Sequence, residues 1–120
     1  PEAANGMVGL ESALSVVQAA VVESGQLSWS DVARVLSSTP AEIGRLAGYD
    51  RALQPGTPAN LTLIDPSARR SFSTADLHGR STNSPYLDRE LPGRVVHVLH
   101  GGRVTVADGI LVQPETLEVH

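Results

Sequence analysis

The sequence predicts part of a larger α/β protein, with helices first and a small antiparallel sheet after them. Three observations carry that expectation. Apolar residues recur with a helical period through the first half and with a strand period afterwards. Aromatics make up only 3% of the 120 residues, so the core must come from Val, Leu, Ile and Ala, which is thin for a free-standing domain. Finally, three helices precede strands too few to cover both faces of a sheet. The chain begins at Pro1, not Met, which adds to the expectation of a cleaved or truncated product. The expected division is a helical segment over 1–54 and a β segment over 55–120.

From Val8 to Ser24 the spacing of Leu10, Ala13, Leu14, Val17, Ala20 and Val21 predicts one amphipathic helix, stopped by Gly25. Ser28 and Asp31 form a capping box for a second helix that ends near Ser37. Thr39 reads as the N-cap of a third, with Pro40 at its first position, Glu42 closing the box, and a stop at Gly48. The period then changes. Leu61 to Ile64 is a short strand stopped by Asp65-Pro66, and 67–92 reads as a polar excursion without a period. Arg94 to His100 is a β-branched strand, Gly101-Gly102 a two-residue hairpin turn, and Val104 to Ala107 the return strand. Asp108-Gly109 is a second tight turn before Ile110 to Val112.

Charge and composition exclude several functions. Acidic residues outnumber basic ones 13 to 9, a net charge of -4, which argues against a nucleic-acid surface. All nine basic residues are arginines, so the chain has no P-loop lysine, no Schiff-base lysine and no carbamylated-lysine metal bridge. Zero cysteines exclude a disulfide scaffold, a thiolate zinc site and a cysteine nucleophile, and fit a reducing compartment. No apolar run is long enough to span a membrane.

The remaining candidates for chemistry are sparse. His97 and His100 are three apart on a predicted strand, where alternation turns them to opposite faces; together they read as exposed histidines, not a shared metal site. His78 lies in the excursion and His120 is the last residue. Asp88 and Glu90 flank Arg89, a solvated charged group. There is no Gly-x-Ser-x-Gly elbow, and Gly101-Gly102 opens no helix that could bind a dinucleotide. Asn60-Leu61-Thr62 matches a glycosylation sequon by chance. The residues alone assemble no catalytic site.

Five stretches nevertheless resemble bacterial dihydroorotases of the amidohydrolase superfamily, in that family's order from Gly6 to Val112. They are Gly6-Met7-Val8-Gly9-Leu10-Glu11, Ser38-Thr39-Pro40-Ala41, and Gly56 to Pro66. The fourth is Arg80-Ser81-Thr82-Asn83-Ser84-Pro85-Tyr86 with Leu91-Pro92-Gly93, and the fifth the hairpin Val98 to Val104 with Asp108-Gly109. The hairpin is similar to that of many amidohydrolases; the Asn-Ser-Pro-Tyr and Gly-Met-Val-Gly-Leu-Glu stretches narrow the resemblance to dihydroorotase.

That resemblance implies a TIM-barrel hydrolase with a small β-sandwich domain, this chain supplying the last barrel helices and short strands of the β domain. The Leu10-Leu14-Val17-Val21 stripe would face the barrel. The implied activity interconverts N-carbamoyl-L-aspartate and L-dihydroorotate in pyrimidine synthesis, in the cytoplasm. Zinc is the implied metal, held by a His-x-His pair, a carbamylated lysine, further histidines and an aspartate. This chain lacks the first two, so it holds neither metal ligands nor catalytic residues and is expected to be inactive alone. Asn5 and Gly6 stand where the family's backbone closes over the substrate ring; many relatives carry Phe or Pro at the position of Asn5. The implied partners are the remainder of the dihydroorotase chain, a second copy in a homodimer, and the small-molecule substrate. Two alternatives are a hydantoinase or allantoinase, and a non-catalytic dihydroorotase-like subunit docked on aspartate transcarbamoylase.

Overall fold

A computed structural model of the chain describes residues 6–49 and 53–113. Helix α1 (Ala13–Val17) runs on into a π-helical turn, Gln18–Val22, and the rod ends at Gly25, whose φ of 73° carries the chain out of the helix. It starts later than the apolar period predicts, because residues 10–12 form a turn. Its buried face also differs from the expected one. Ser12, Ser15 and Gln18 are buried, whereas Leu10 is 93% exposed.

Helix α2 (Trp29–Ala33) begins at the predicted capping box. The Ser28 N–H donates to Asp31 Oδ2 at 3.1 Å, and the Asp31 N–H donates to Ser28 Oγ at 3.2 Å. The expected break before a third helix is absent. A π-helical stretch, Arg34–Ser38, joins α2 directly to α3 (Thr39–Ile43) in one rod. Thr39 is therefore not an N-cap: its φ and ψ of -64° and -46° are helical, and its N–H donates to Arg34 O five residues back. Pro40 explains the wider turn. A proline within a rod has no N–H to give and crowds the preceding turn, and an extra residue per turn accommodates both. The rod ends at Ile43 in a Schellman motif, not at Gly48. The Leu46 N–H donates to Ala41 O and the Arg45 N–H to Glu42 O, with Arg45 itself left-handed at φ 52°.

Four strands follow, in sheet order β1-β2-β3-β4: β1 (Leu61–Ser71), β2 (Glu90–His100), β3 (Arg103–Ala107) and β4 (Ile110–Leu111). Strand β1 runs through Asp65-Pro66, where the sequence predicts a stop. It lies at the outer position of this sheet, where a proline costs no ladder bond on the free side. Both predicted hairpins form. Val98 pairs with Val106 and His100 with Arg103 across Gly101-Gly102, with a bulge between Val98 and Leu99; Ala107 pairs with Ile110. Gly101 and Gly102 have φ of 58° and 81°, the positive pair that this two-residue turn requires.

The polar excursion is shorter and better anchored than its composition predicts. Phe72, at 1% exposure, is among the most buried side chains. Its N–H donates to Arg89 O and its carbonyl accepts from the Asp88 N–H, which clasps the two ends of the loop. A single 3-10 turn, Thr74–Asp76, follows behind its own Ser73–Asp76 capping box.

The chain forms two compact units. One takes residues up to Val32 together with Pro66–Gly93; the other takes Ala33–Asp65 together with the residues from Arg94 onward. Each draws on both the helical and the strand segments. Val32, Phe72 and Leu91 are the buried apolar side chains of the first, and Ala41 of the second.

Candidate functional site

The first unit brings together the two stretches that narrow the sequence resemblance. The Asn83 side chain donates through Nδ2 to Gly6 O at 2.5 Å, and the Asn83 carbonyl accepts from the Val8 N–H at 2.9 Å. Asn83 is itself held, since its N–H donates to Ser81 Oγ at 3.2 Å. The loop around it is tied locally: the Ser84 N–H donates to Thr82 O and the Tyr86 N–H to Ser84 Oγ. These short bonds on either side of Pro85 are the turn chemistry expected of Ser, Asn and Pro. Of the two residues expected to meet a substrate, Gly6 therefore sits in a defined bracket. Asn5 lies outside the described residues.

Among the described residues of this unit nothing requires glycine at position 6. Its φ lies outside the left-handed region, and a Cβ placed on it would meet no atom within 4 Å. Gly93 differs on both counts. Its φ is 78°, and a Cβ there would collide with Gln18 Oε1. Gln18 is 4% exposed, and its Nε2 donates to Pro66 O at 2.8 Å while Oε1 has no hydrogen-bond partner among the described residues. Gln18 thus ties α1's rod to β1 and lies against the one residue type that leaves it room.

Two carboxylates line the same unit. Glu11 Oε1 accepts from the His78 N–H at 3.2 Å, and that bond holds the Glu11 carboxyl below its ordinary value. Asp76 pairs with Arg70 and accepts from the Ser73 N–H at 2.8 Å. Burial raises the Asp76 pKa, but the Ser73 and Arg70 contacts outweigh it and leave the value lowered.

The histidines do not converge. His97 Nε2 lies 3.7 Å from Asp108 Oδ1, whereas His100 stacks on Tyr49 with ring centroids 6.0 Å apart. His78 Nδ1 lies 3.2 Å from Asp76 O, and His120 is outside the described residues. No group of three or more His, Asp or Glu side chains among the described residues could hold a metal ion, so this donor set does not fit a metal centre. In the second unit an open hollow of about 360 Å³ is lined by Tyr49, Gln54, Thr57, Asn60 and Gly101 among others. Its Asn60, the sequon residue, accepts the Gly101 N–H at 2.7 Å and so braces the hairpin tip.

The motif that contains Asn83 implies no contact for it, and the sequence assigns no role to Gln18 or Phe72. A lone Phe in a polar stretch was the available signal for the last. No signal marked Gln18, because its partners lie at Pro66 and Gly93, far along the chain.

No protein-family model matches the chain. The fold is similar to part of the hydantoinase fold. The L-hydantoinase (dihydropyrimidinase) of Arthrobacter aurescens superposes with a TM-score of 0.80 at 25% identity, over 92% of this chain and 25% of its own. A D-hydantoinase structure superposes with a TM-score of 0.78 at 26% identity, over 91% of this chain and 24% of its own. The expected architecture, helices of an amidohydrolase followed by antiparallel strands, agrees with both.

Sequence comparison is more specific. The chain is 59% identical over 111 residues to the dihydroorotase of Leifsonia xyli and 49% identical over 104 residues to that of Mycobacterium tuberculosis. Over this segment the chain is similar to part of a dihydroorotase. These matches cover 92% and 87% of the chain but 25% and 24% of the relatives, so the chain spans about a quarter of their length.

Proposed function

We propose that this chain is the C-terminal part of a dihydroorotase, the hydrolase that interconverts N-carbamoyl-L-aspartate and L-dihydroorotate in pyrimidine synthesis. The observation that carries the reading is the 59% identity over 111 residues to a protein named dihydroorotase. The bracket between Gly6–Val8 and Asn83 supports it, because it joins the two stretches that separate dihydroorotase from other amidohydrolases. On this reading residues 1–54 are the closing helices of the barrel domain and 55–120 part of the small β domain. The remainder of the chain covers side chains such as Leu10, Ile43 and Ile110, which are 93%, 78% and 70% exposed.

The metal, zinc on this reading, is held by residues outside this segment, and the segment contributes no ligand. Asn5 and Gly6 lie against the substrate, where a glycine lets backbone approach a ligand closely. The enzyme works as a cytoplasmic homodimer. No helix among the described residues is long and apolar enough to cross a membrane.

The test replaces the matching quarter of the Leifsonia xyli dihydroorotase with this chain and assays dihydroorotate and hydantoin side by side. The expected result is hydrolysis of dihydroorotate, with no activity and no bound zinc for the isolated chain. Preference for hydantoin would favour the hydantoinase reading instead, which the structural neighbours support. A folded chimera that binds aspartate transcarbamoylase but hydrolyses neither substrate would favour a scaffolding subunit.

A further inference from the structure

The bracket on Gly6 has a direction. We propose that Asn83 is a positioning residue: it takes up one edge of the Gly6–Val8 backbone and thereby presents the opposite edge, with the Met7 N–H, to the substrate. The proposal rests on the reading that Gly6 lies against the substrate.

Three bonds meet at Asn83. Its N–H donates to Ser81 Oγ at 3.2 Å, its carbonyl accepts the Val8 N–H at 2.9 Å, and its Nδ2 donates to Gly6 O at 2.5 Å. Gly6 O and the Val8 N–H thus share one edge of the backbone, and both are spoken for. There is no cis peptide bond among the described residues, so the Gly6–Met7 peptide is trans. Its N–H therefore points away from the carbonyl that Asn83 holds. Met7 is 69% exposed among the described residues.

The glycine fits the same picture. Neither a left-handed φ nor a neighbour within 4 Å requires glycine at position 6. A side chain there would instead stand in the open space beside the presented edge. Only an amide of this length serves at position 83. Aspartate keeps the shape but has no N–H to donate, and it sets a charged oxygen against the Gly6 carbonyl.

The test is steady-state kinetics on dihydroorotate in the full-length enzyme that carries this segment, with thermal melts alongside. Asn83→Asp should raise KM about tenfold, equivalent to ~1.4 kcal/mol, with kcat within about twofold and Tm within a few degrees. A raised KM at constant kcat is the signature of lost uniform binding. Gly6→Ala, which meets no atom of this segment, should raise KM without lowering Tm. If Gly6→Ala raises KM while Asn83→Asp shifts only Tm, Asn83 is structural and the proposal falls, although Gly6 keeps its place at the substrate. If neither variant moves KM, Gly6 is not at the substrate, and both readings fall. Should Asn83→Asp not accumulate, Asn83→Ser, which keeps a shorter donor, is read by the same criteria.

Discussion

The rod of α1 and the closing hairpins are held by contacts of opposite range. Around α1, Ser15 Oγ reaches Gly93 O across 78 residues, Gln18 Nε2 reaches Pro66 O across 48, and Asn83 reaches Gly6 across 77. In β2 to β4, partners such as His100 with Arg103 and Ala107 with Ile110 are separated only by their turns. What each region buries differs as well. Ser12, Ser15 and Gln18 turn inward at α1's rod, whereas β3 and β4 carry no fully buried residue. Hairpins close on their neighbours at little entropic cost, while the α1 contacts need long loops to be closed first. The α1 region is therefore where a substitution should cost most.

The largest expected effect tests the loop clasp in α1's unit. Phe72→Ala removes a side chain that is 1% exposed, and should cost roughly 3–5 kcal/mol in urea denaturation of the full-length protein. A loss below about 1 kcal/mol would mean that this residue does not anchor a core. A sharper comparison sets one glycine in each region side by side. Gly93→Ala meets both a φ of 78° and the Gln18 side chain, whereas Gly102→Ala meets a φ of 81° and no atom within 4 Å. Gly93→Ala should cost about 3 kcal/mol and Gly102→Ala about 1 kcal/mol, since only the first adds overpacking to backbone strain. Equal losses would remove the distinction between the two regions.

The smallest effect is electrostatic. Asp76 titrates below its ordinary value of 3.8, so the stability it adds is present above that pH and is lost as pH falls through the lowered value. Asp76→Asn should flatten that acid limb of the stability profile and leave the neutral range nearly unchanged. An unaltered acid limb would show that Ser73 and Arg70 do not hold the charged form.

The parts of this protein legible in its sequence are those whose partners lie within a few residues. Ser28 and Asp31 cap α2 as expected, and Gly101-Gly102 and Asp108-Gly109 turn the strands where the sequence places them. Thr39-Pro40-Ala41-Glu42 misled for a local reason. The same four residues that open a helix also fit a widened turn inside one, and only the preceding helical residues distinguish the two. Asp65-Pro66 misled because a proline stops an inner strand but not the outer position of a sheet. At the candidate site, Gly6 and the Asn83 stretch were both named, yet their meeting was not visible.

The sequence by itself determined where α2 and the two hairpin turns begin, which chemistry is impossible without lysine or cysteine, and which family the residues resemble. Capping, turn formation and the absence of a functional group are properties of a few adjacent residues, and tertiary contacts do not revise them. Only the tertiary structure decided that Ser12, Ser15 and Gln18 are buried while Leu10 is exposed, that Phe72 anchors the loop, and that Asn83 grips Gly6. Those outcomes depend on which distant segments arrive at the same point. The period of a helix fixes which residues share a face, but not which face finds a partner.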